Sequence, residues 1–184
     1  RPARLLLGQT KLAMGDAAGA AETLRPLSGL GDATAEELGT LARALRSAGD
    51  PGADAVARQA RQAAANGLMA ALTTADKAMR GRDWPTAIQR YEAILAQTTG
   101  DNVLVLNNLA HAYSQTGNHT RALALAERAL QLAPDNASVM DTAGWVLHRS
   151  GQDRQRALAL LRAAARKAPG NGAIAGHLKA AERG

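Results

Sequence analysis

Cysteine and phenylalanine are absent from the sequence, and only two tryptophans and two tyrosines represent the large aromatic residues. The lack of cysteine excludes disulfides and cysteine-based zinc sites, but it leaves the compartment open. Because aromatic and β-branched residues, which strands favour, are scarce, strands are not expected. Apolar residues nevertheless make up 46% of the chain, mostly as alanine and leucine. This composition favours an all-α fold whose helices approach one another closely.

A long hydrophobic run is also lacking, so no segment of the sequence is expected to span a bilayer. The net charge of +6 comes from 22 basic and 16 acidic residues, yet the two signs balance between residues 35 and 136. Nucleic-acid binding requires a continuous basic surface, which this balance argues against. The C-terminal basic residues are expected on a solvated helix face, with an acidic protein or a membrane surface as the alternative partner. They are Arg154, Arg156, Arg162, Arg166 and Lys167.

Residues 103–136 carry the clearest pattern in the chain. An apolar stripe at helical spacing precedes the turn signal Thr116-Gly117-Asn118, and a second stripe runs from there to Pro134. This pattern predicts two antiparallel helices that bury their stripes against each other. The small residues Ala110 and Ala122 fit the point where such helices cross. In its period and in the placement of its small residues, the unit resembles a tetratricopeptide repeat.

Similar units occupy the rest of the chain, at about 1–34, 35–67, 68–102 and 137–171. The alanines at one position of the second helix recur close to a single period: Ala20, Ala55, Ala87, Ala122 and Ala157. The resemblance therefore implies one domain over 1–184, an all-α, right-handed superhelical solenoid of about five helix-turn-helix repeats with a capping helix at 172–184. A generic alanine-rich bundle would explain the stripes but not their recurrence in register. Because the sequence opens at Arg1 without a methionine, it is expected to be a fragment of a larger protein.

Some helix boundaries can be predicted from local signals. Thr34 and Glu37 have the spacing of a capping box at the start of a helix. Trp84-Pro85 is expected to begin another helix, since proline is favoured in the first turn. Asn66-Gly67 is expected to end the helix that starts near Ala53, since glycine commonly terminates helices.

In tetratricopeptide proteins the first helix of each pair lines a concave groove, and the resemblance implies the same here. We therefore expect this surface to bind a protein or peptide partner. The candidate groove residues are Arg43, Arg46, Asp76, Arg80, Asn107, Asn108, His111, Gln115, Asp141, Thr142, Trp145, His148 and Arg149. Thr40, Ser47, Thr73 and His177 are further positions on it. The adjacent amides Asn107 and Asn108 could hold a peptide backbone, because an amide both donates and accepts hydrogen bonds. A helix face that is merely solvated is the alternative.

Two features of this surface need separate interpretation. The clamp by which some members of the family hold a terminal carboxylate is not expected, since Asn108 fits one of its positions but Leu72, His111 and Asp141 occupy others. Trp145 could anchor a partner in the groove or pack against a neighbouring helix. Trp84 is expected to brace the start of its own helix.

Candidate catalytic and metal-binding arrangements are missing. There is no glycine-rich phosphate loop after a strand, and no two histidines are four residues apart. Ser138, Asp141 and His148 share a predicted helix, but the histidine lies too far along it to reach the other two. The sequence therefore predicts a protein that is not an enzyme and that needs no cofactor and no metal.

Residues 100–180 carry a finer resemblance. The phrases NNLAHAYSQTGN, DTAGWVLHRSGQ and ALALLRAAARKAPGN are similar to the C-terminal repeats of bacterial lipoproteins found with PEP-CTERM sorting and exopolysaccharide export systems. This resemblance implies a periplasmic or envelope-associated scaffold. A cytosolic adaptor or chaperone, or a repeat domain of a larger enzyme such as a glycan transferase, is the alternative. Direct glycan binding would require exposed aromatic platforms, which four large aromatic residues hardly supply. The sequence identifies neither the partner nor the oligomeric state.

Overall fold

A computed structural model describes residues 1–98 and 100–183 of the chain. Most of them lie in helices, and the described ranges contain no strand. The all-α fold class is therefore confirmed. The helices are α1 (Pro2–Ala13), α2 (Ala17–Leu24), a 3-10 helix (Arg25–Gly29), α3 (Ala35–Ser47), α4 (Ala53–Arg80), α5 (Trp84–Gln97), α6 (Val103–Gln115), α7 (His119–Leu132), α8 (Ala137–Ser150), α9 (Arg154–Lys167) and α10 (Gly172–Arg183).

Polar side chains define where most of these helices begin. The predicted capping box is confirmed at α3, where the hydroxyl of Thr34 accepts from the amide of Glu37 and the Glu37 carboxylate accepts from the amide of Thr34. Asn118 caps α7 by accepting from the amide of Arg121 at 3.2 Å. The turn before it depends on Gly117, whose φ of 80° lies in the left-handed region. The two-helix reading of residues 103–136 is thereby confirmed.

The chain divides into two compact units, residues 1–70 and 71–184. The assignment of all 184 residues to one domain, and the exact repeat boundaries, stay predictions. In the first unit, α2 and α3 bury a cluster that includes Leu24, Leu27 and Leu41. Gly8 of α1 lies against this cluster, where a Cβ atom would come within 2.4 Å of the Leu24 side chain. Only a residue without a side chain lets α1 and α2 approach so closely.

The predicted helix end at Asn66-Gly67 is wrong, because α4 runs unbroken from Ala53 to Arg80 over 28 residues. The boundary between the two compact units falls inside this helix, after Ala70. Glycine ends a helix by adopting a left-handed backbone, whereas Gly67 stays helical. A glycine inside a helix costs only about 1 kcal/mol relative to alanine. The many alanines on either side favour continuation strongly enough to offset that cost.

In the second unit, α5 to α10 follow one another as packed helices. Ala110 and Ala122 are completely buried and share one cluster between α6 and α7. Gly144 marks the corresponding approach of α8 and α9, where an added Cβ would lie 2.9 Å from the carbonyl oxygen of Ala157. The small residues predicted at helix crossings therefore do lie where backbones meet. In the described part of the chain, none of the helices has the length and apolarity that crossing a membrane demands.

Ion pairs connect the outward helices of the second unit. Arg121 of α7 pairs with Glu92 of α5 at 2.8 Å, and Arg156 of α9 pairs with Glu127 of α7 at 2.6 Å. Arg162 and Lys167 are likewise paired, with Glu182 at 3.0 Å and Asp135 at 3.1 Å. Each exposed pair adds little stability. They nevertheless show that three of the five C-terminal basic residues already have acidic partners within this chain.

Candidate partner-binding face

The polar residues predicted for the groove gather on one face of the second unit, where α8 packs against both α6 and α10. We call this the α6–α8–α10 face and define it by its side chains: Asn107, Asn108, His111, Asp141, Trp145 and His177. Of the other candidates, Arg43 and Arg46 lie in the first unit, while Asp76 and Arg80 lie at the end of α4. Candidate residues therefore occur in both compact units, and their common role in one groove stays a prediction.

Asn108 is held in place from the core. Its side-chain nitrogen donates to the hydroxyl of Tyr91 at 2.9 Å, and that hydroxyl in turn donates to the carboxylate of Asp76. Tyr91 is completely buried. Burial and the neighbouring Asp76 carboxylate raise the pKa of Tyr91 well above its ordinary value, so it remains a donor. This positioning role of Tyr91 has no signal in the sequence, because a tyrosine at an apolar position of a helix resembles an ordinary core residue.

Asn107 is arranged differently from its neighbour. Its side chain is half-buried, and its amide oxygen is buried without a hydrogen-bond partner among the described residues. It lies at an open pocket of about 430 Å³ near the beginnings of α6 and α8. The lining residues are Val103, Leu104, Asn107, Asn108, Asn136, Ser138 and Val139. A buried amide oxygen without a donor is unusual in folded proteins.

Trp145 packs against a neighbouring helix while remaining part of this face. Its ring stacks on His177 of α10, with centroids 4.3 Å apart and planes 15° from parallel. His148 approaches the same ring at 5.2 Å. Trp145 is half-buried, and its indole nitrogen is enclosed without a partner among the residues described. Trp145 therefore packs against a neighbouring helix, and its use as an anchor for a partner stays a prediction.

Asp141 binds the ring of His177. Nδ1 of the histidine lies 2.8 Å and 3.1 Å from the two carboxylate oxygens. Asp141 is only 7% exposed, so its carboxylate positions the ring of His177 more than it faces solvent. Thr142, the next residue, is also 7% exposed and offers little surface to a partner.

His111 occupies the middle of the face. Trp84, at the start of α5, meets its ring edge-on at a centroid distance of 5.7 Å. Burial and the positive charges of His177 and Arg149 lower the pKa of His111 below its ordinary value, although Asp141 opposes this. His111 is therefore a neutral ring near pH 7, with one donor and one acceptor nitrogen.

The remaining candidates of the second unit are peripheral. Gln115 and His148 are half-buried, while Arg80 and Arg149 are exposed. Arg149 reaches across to α6 and donates to the carbonyl oxygen of Ser114 at 3.3 Å. Across residues 1–98 and 100–183, no three histidine, aspartate or glutamate side chains are placed to hold a metal ion.

Arg43 and Arg46 line a pocket of their own in the first unit. It measures about 520 Å³ and lies between α1 and α3, with Gln9, Leu12, Ala13 and Ser47 as the other lining residues. Arg46 pairs with Asp54 at 3.0 Å, and Arg43 donates to the hydroxyl of Thr40 at 3.3 Å. Both guanidinium groups are exposed, so the pocket presents positive charge to solvent.

Comparison with known proteins agrees with this architecture. Residues 72–137 match the family model described as tetratricopeptide repeat. None of the curated protein sequences gives a significant match. The packing of successive helices agrees with the solenoid of solved tetratricopeptide structures, so the predicted solenoid fold class is confirmed.

Solved structures of tetratricopeptide proteins are similar over much of the chain. The O-GlcNAc transferase of Thermobaculum terrenum is 30% identical with a TM-score of 0.59, over 64% of this chain and 22% of the transferase. The tetratricopeptide domain of P58(IPK) is 17% identical with a TM-score of 0.58, over 98% of this chain and 54% of that one. The first such domain of Spaghetti (RPAP3), solved bound to an HSP90 peptide, is 16% identical with a TM-score of 0.54, over 63% of this chain and 90% of that domain. The chain thus spans only about a fifth of the transferase's length.

Proposed function

We propose that this chain is a non-catalytic interaction scaffold that binds a protein or peptide on the α6–α8–α10 face. The supporting observation is that polar side chains on this face are fixed by partners beneath them, as Tyr91 fixes Asn108 and Asp141 fixes His177. Side chains that are already ordered lose little conformational entropy when a partner binds. The Asn107 amide oxygen and the Trp145 indole nitrogen are both enclosed without hydrogen bonds in the described structure. A partner could satisfy these two atoms once their side chains turn toward it.

The Arg43–Arg46 pocket is a second candidate contact surface in the first unit. Its exposed guanidinium groups would suit carboxylates of a partner, since arginine binds them with two parallel hydrogen bonds. Arg46 is already paired with Asp54, so Arg43 is the more available of the two. This surface and the α6–α8–α10 face are proposed independently of each other.

The biological setting that we propose is a bacterial envelope system for exopolysaccharide export or protein sorting. Support for it comes only from the phrases between residues 100 and 180 that resemble lipoproteins of such systems. The similarity to part of an O-GlcNAc transferase favours the alternative of a repeat domain within a larger enzyme. A cytosolic adaptor is the third candidate, since the domain of Spaghetti was solved with an HSP90 peptide.

Capture of partners from fractionated bacterial lysate tests the proposal. The wild-type chain and the Asn107→Ala variant would be compared on envelope and cytosolic fractions. Asn107 is the better position to change, because replacing Asn108 would also remove a hydrogen bond to the buried Tyr91. Asn66→Ala is the matched control, since Asn66 is an exposed helical asparagine that belongs to the first unit and not to the residues that define this face.

We expect Asn107→Ala to weaken capture of a specific partner by about 1–3 kcal/mol, while Asn66→Ala leaves it unchanged. Envelope proteins that respond in this way would support both the face and the setting. Cytosolic partners that respond would retain the face but remove the envelope setting. Partners that are equally well captured by all three proteins would remove the α6–α8–α10 face from the proposal.

A further inference from the structure

We propose that the pocket at the beginnings of α6 and α8 receives an aliphatic side chain from an uncharged, extended segment of the partner. This inference rests on the proposed function and specifies the chemistry that one part of the face recognises. We call this cavity the α6–α8 pocket, with the seven lining residues given above. Its volume of about 430 Å³ leaves room for a branched side chain and the adjoining peptide groups.

The composition of the lining determines the kind of occupant. Leu104 and the half-buried Val103 supply apolar surface, while Val139 is only 2% exposed. The other four lining residues are three asparagines and a serine. No charged residue lines the pocket. An ammonium group placed there would lose hydration without gaining an opposite charge, which is unfavourable. A carboxylate would find first-turn amides of α6 and α8 already bound by the caps Asn102 and Asn136. An aliphatic group would instead gain by leaving water.

Leu104 marks the apolar side of the pocket. It is 53% exposed in the described structure, although most leucines of this chain are at least partly buried. Leu132 of α7 is the other exposed leucine of the second unit, at 38%, and it does not line the pocket. Leu104 therefore offers apolar area to a partner at the pocket itself.

The amides of the pocket are not equally available to a ligand. Asn136 caps α8 by accepting from the amides of Ser138 and Val139, at 3.0 Å and 3.2 Å. Asn108 donates to Tyr91. Asn107 alone among the three combines a place in the lining with a buried amide oxygen that has no partner in the described residues. If the amide turns about χ2 so that this oxygen reaches the pocket, the oxygen could accept an N–H from the peptide backbone of the occupant.

Nuclear magnetic resonance titration of the ¹⁵N-labelled chain tests the inference with defined probes. The probes are acetyl-Gly-Gly-Leu-Gly-Gly-amide and the same peptide with glutamate in place of leucine. We expect the leucine peptide to shift the backbone amide signals of Leu104, Asn107 and Val139 saturably, and to bind at least about tenfold more tightly than the glutamate peptide. Leu104→Glu should abolish this binding, whereas the matched variant Leu132→Glu should leave it intact.

Several results would overturn the inference. They are equal or stronger binding of the glutamate peptide, shifts centred on Trp145 and His177 instead of the pocket, and no saturable shift up to the solubility limit of the leucine peptide. Circular dichroism of Leu104→Glu provides the folding control, and an exposed leucine should tolerate the change. A lysate partner that depends on Asn107 but tolerates Leu104→Glu would remove the α6–α8 pocket while the proposed function stands.

Discussion

The ring of Trp145 in α8 lies parallel to the ring of His177 in α10, with the two centroids 4.3 Å apart. The same histidine is bound to the nearly buried carboxylate of Asp141. Trp145 and Asp141 both belong to α8, so the one side chain of His177 makes two interactions between α10 and α8. The contact fixes α10 on α8 at the residues proposed to meet a partner.

His177→Ala should destabilise the second unit by about 1–3 kcal/mol. The substitution removes the ring stacking and leaves the Asp141 carboxylate without its partner. Thermal unfolding followed by circular dichroism would measure the change, and the fluorescence of Trp145 should shift as its ring becomes more exposed. Lys179→Ala, at an exposed position of the same helix, is the control and should be nearly neutral. Equal stability of the two variants would mean that the stacked contact contributes nothing to holding α10.

Gly144→Ala should destabilise the chain by about 1–3 kcal/mol, because the added Cβ would lie 2.9 Å from the carbonyl oxygen of Ala157 and 2.8 Å from the Leu161 side chain. Gly176→Ala is the matched change in α10, where nothing lies within 4 Å of the added atom. It should stabilise by roughly 0.5–1 kcal/mol, since alanine favours the helix. Denaturant unfolding measures both. If both substitutions changed the free energy of unfolding in the same direction, a close approach of α8 and α9 at Gly144 would be contradicted.

Gly67→Ala tests whether α4 is continuous. In an unbroken helix with open space around Gly67, alanine should stabilise the chain by roughly 0.5–1 kcal/mol. A helix that ended there in a left-handed glycine would be destabilised by the same change. Gly49→Ala is the comparison, because Gly49 has a φ of +73° and an alanine there should cost about 1–2 kcal/mol. Urea unfolding of the two variants shows whether Gly67 lies inside a continuous helix or ends it.

Acidification should remove part of the stability of the first unit through Glu37. The Arg1 guanidinium and the amide of Thr34 lower the pKa of the Glu37 carboxyl to about 2, from 4.5. A carboxyl whose pKa is lower in the folded chain stabilises it above pH 4.5 and ceases to do so as the pH falls through about 2. Glu37→Gln should therefore be less stable than wild type near neutral pH, and the difference should shrink across that window. If the difference in unfolding free energy between wild type and Glu37→Gln stays constant from pH 6 to about 2, the charge of Glu37 does not stabilise the fold.

Much of the local structure could be predicted because its causes lie within a few residues. The turn at Gly117 and the capping box of Thr34 and Glu37 are encoded by neighbouring groups, and the structure confirms both. Asn66-Gly67 shows the limit of such signals. The pair has the composition of a helix end, but whether glycine takes a left-handed backbone depends on the competition with the helix around it.

The candidate site could be predicted only as a set of positions. The repeat period indicated which residues share a face, and α6, which carries Asn107, Asn108 and His111, does pack against α8, which carries Trp145. The period gave no indication that Tyr91 holds Asn108, or that Thr142 is nearly buried. These facts depend on side chains from different helices, 17 residues apart for Tyr91 and Asn108.

The sequence by itself determined the all-α class, the hairpin pattern and the small residues at helix crossings, because each follows from periodicity and side-chain size along one or two helices. Only the tertiary structure decided which polar groups are already satisfied and which are enclosed without a partner. His177 binds Asp141 across 36 residues, while the amide oxygen of Asn107 has no partner in the described chain. Hydrogen bonding requires donor–acceptor distances that are correct to within a few tenths of an ångström, and between separate helices these distances are set only when the helices pack.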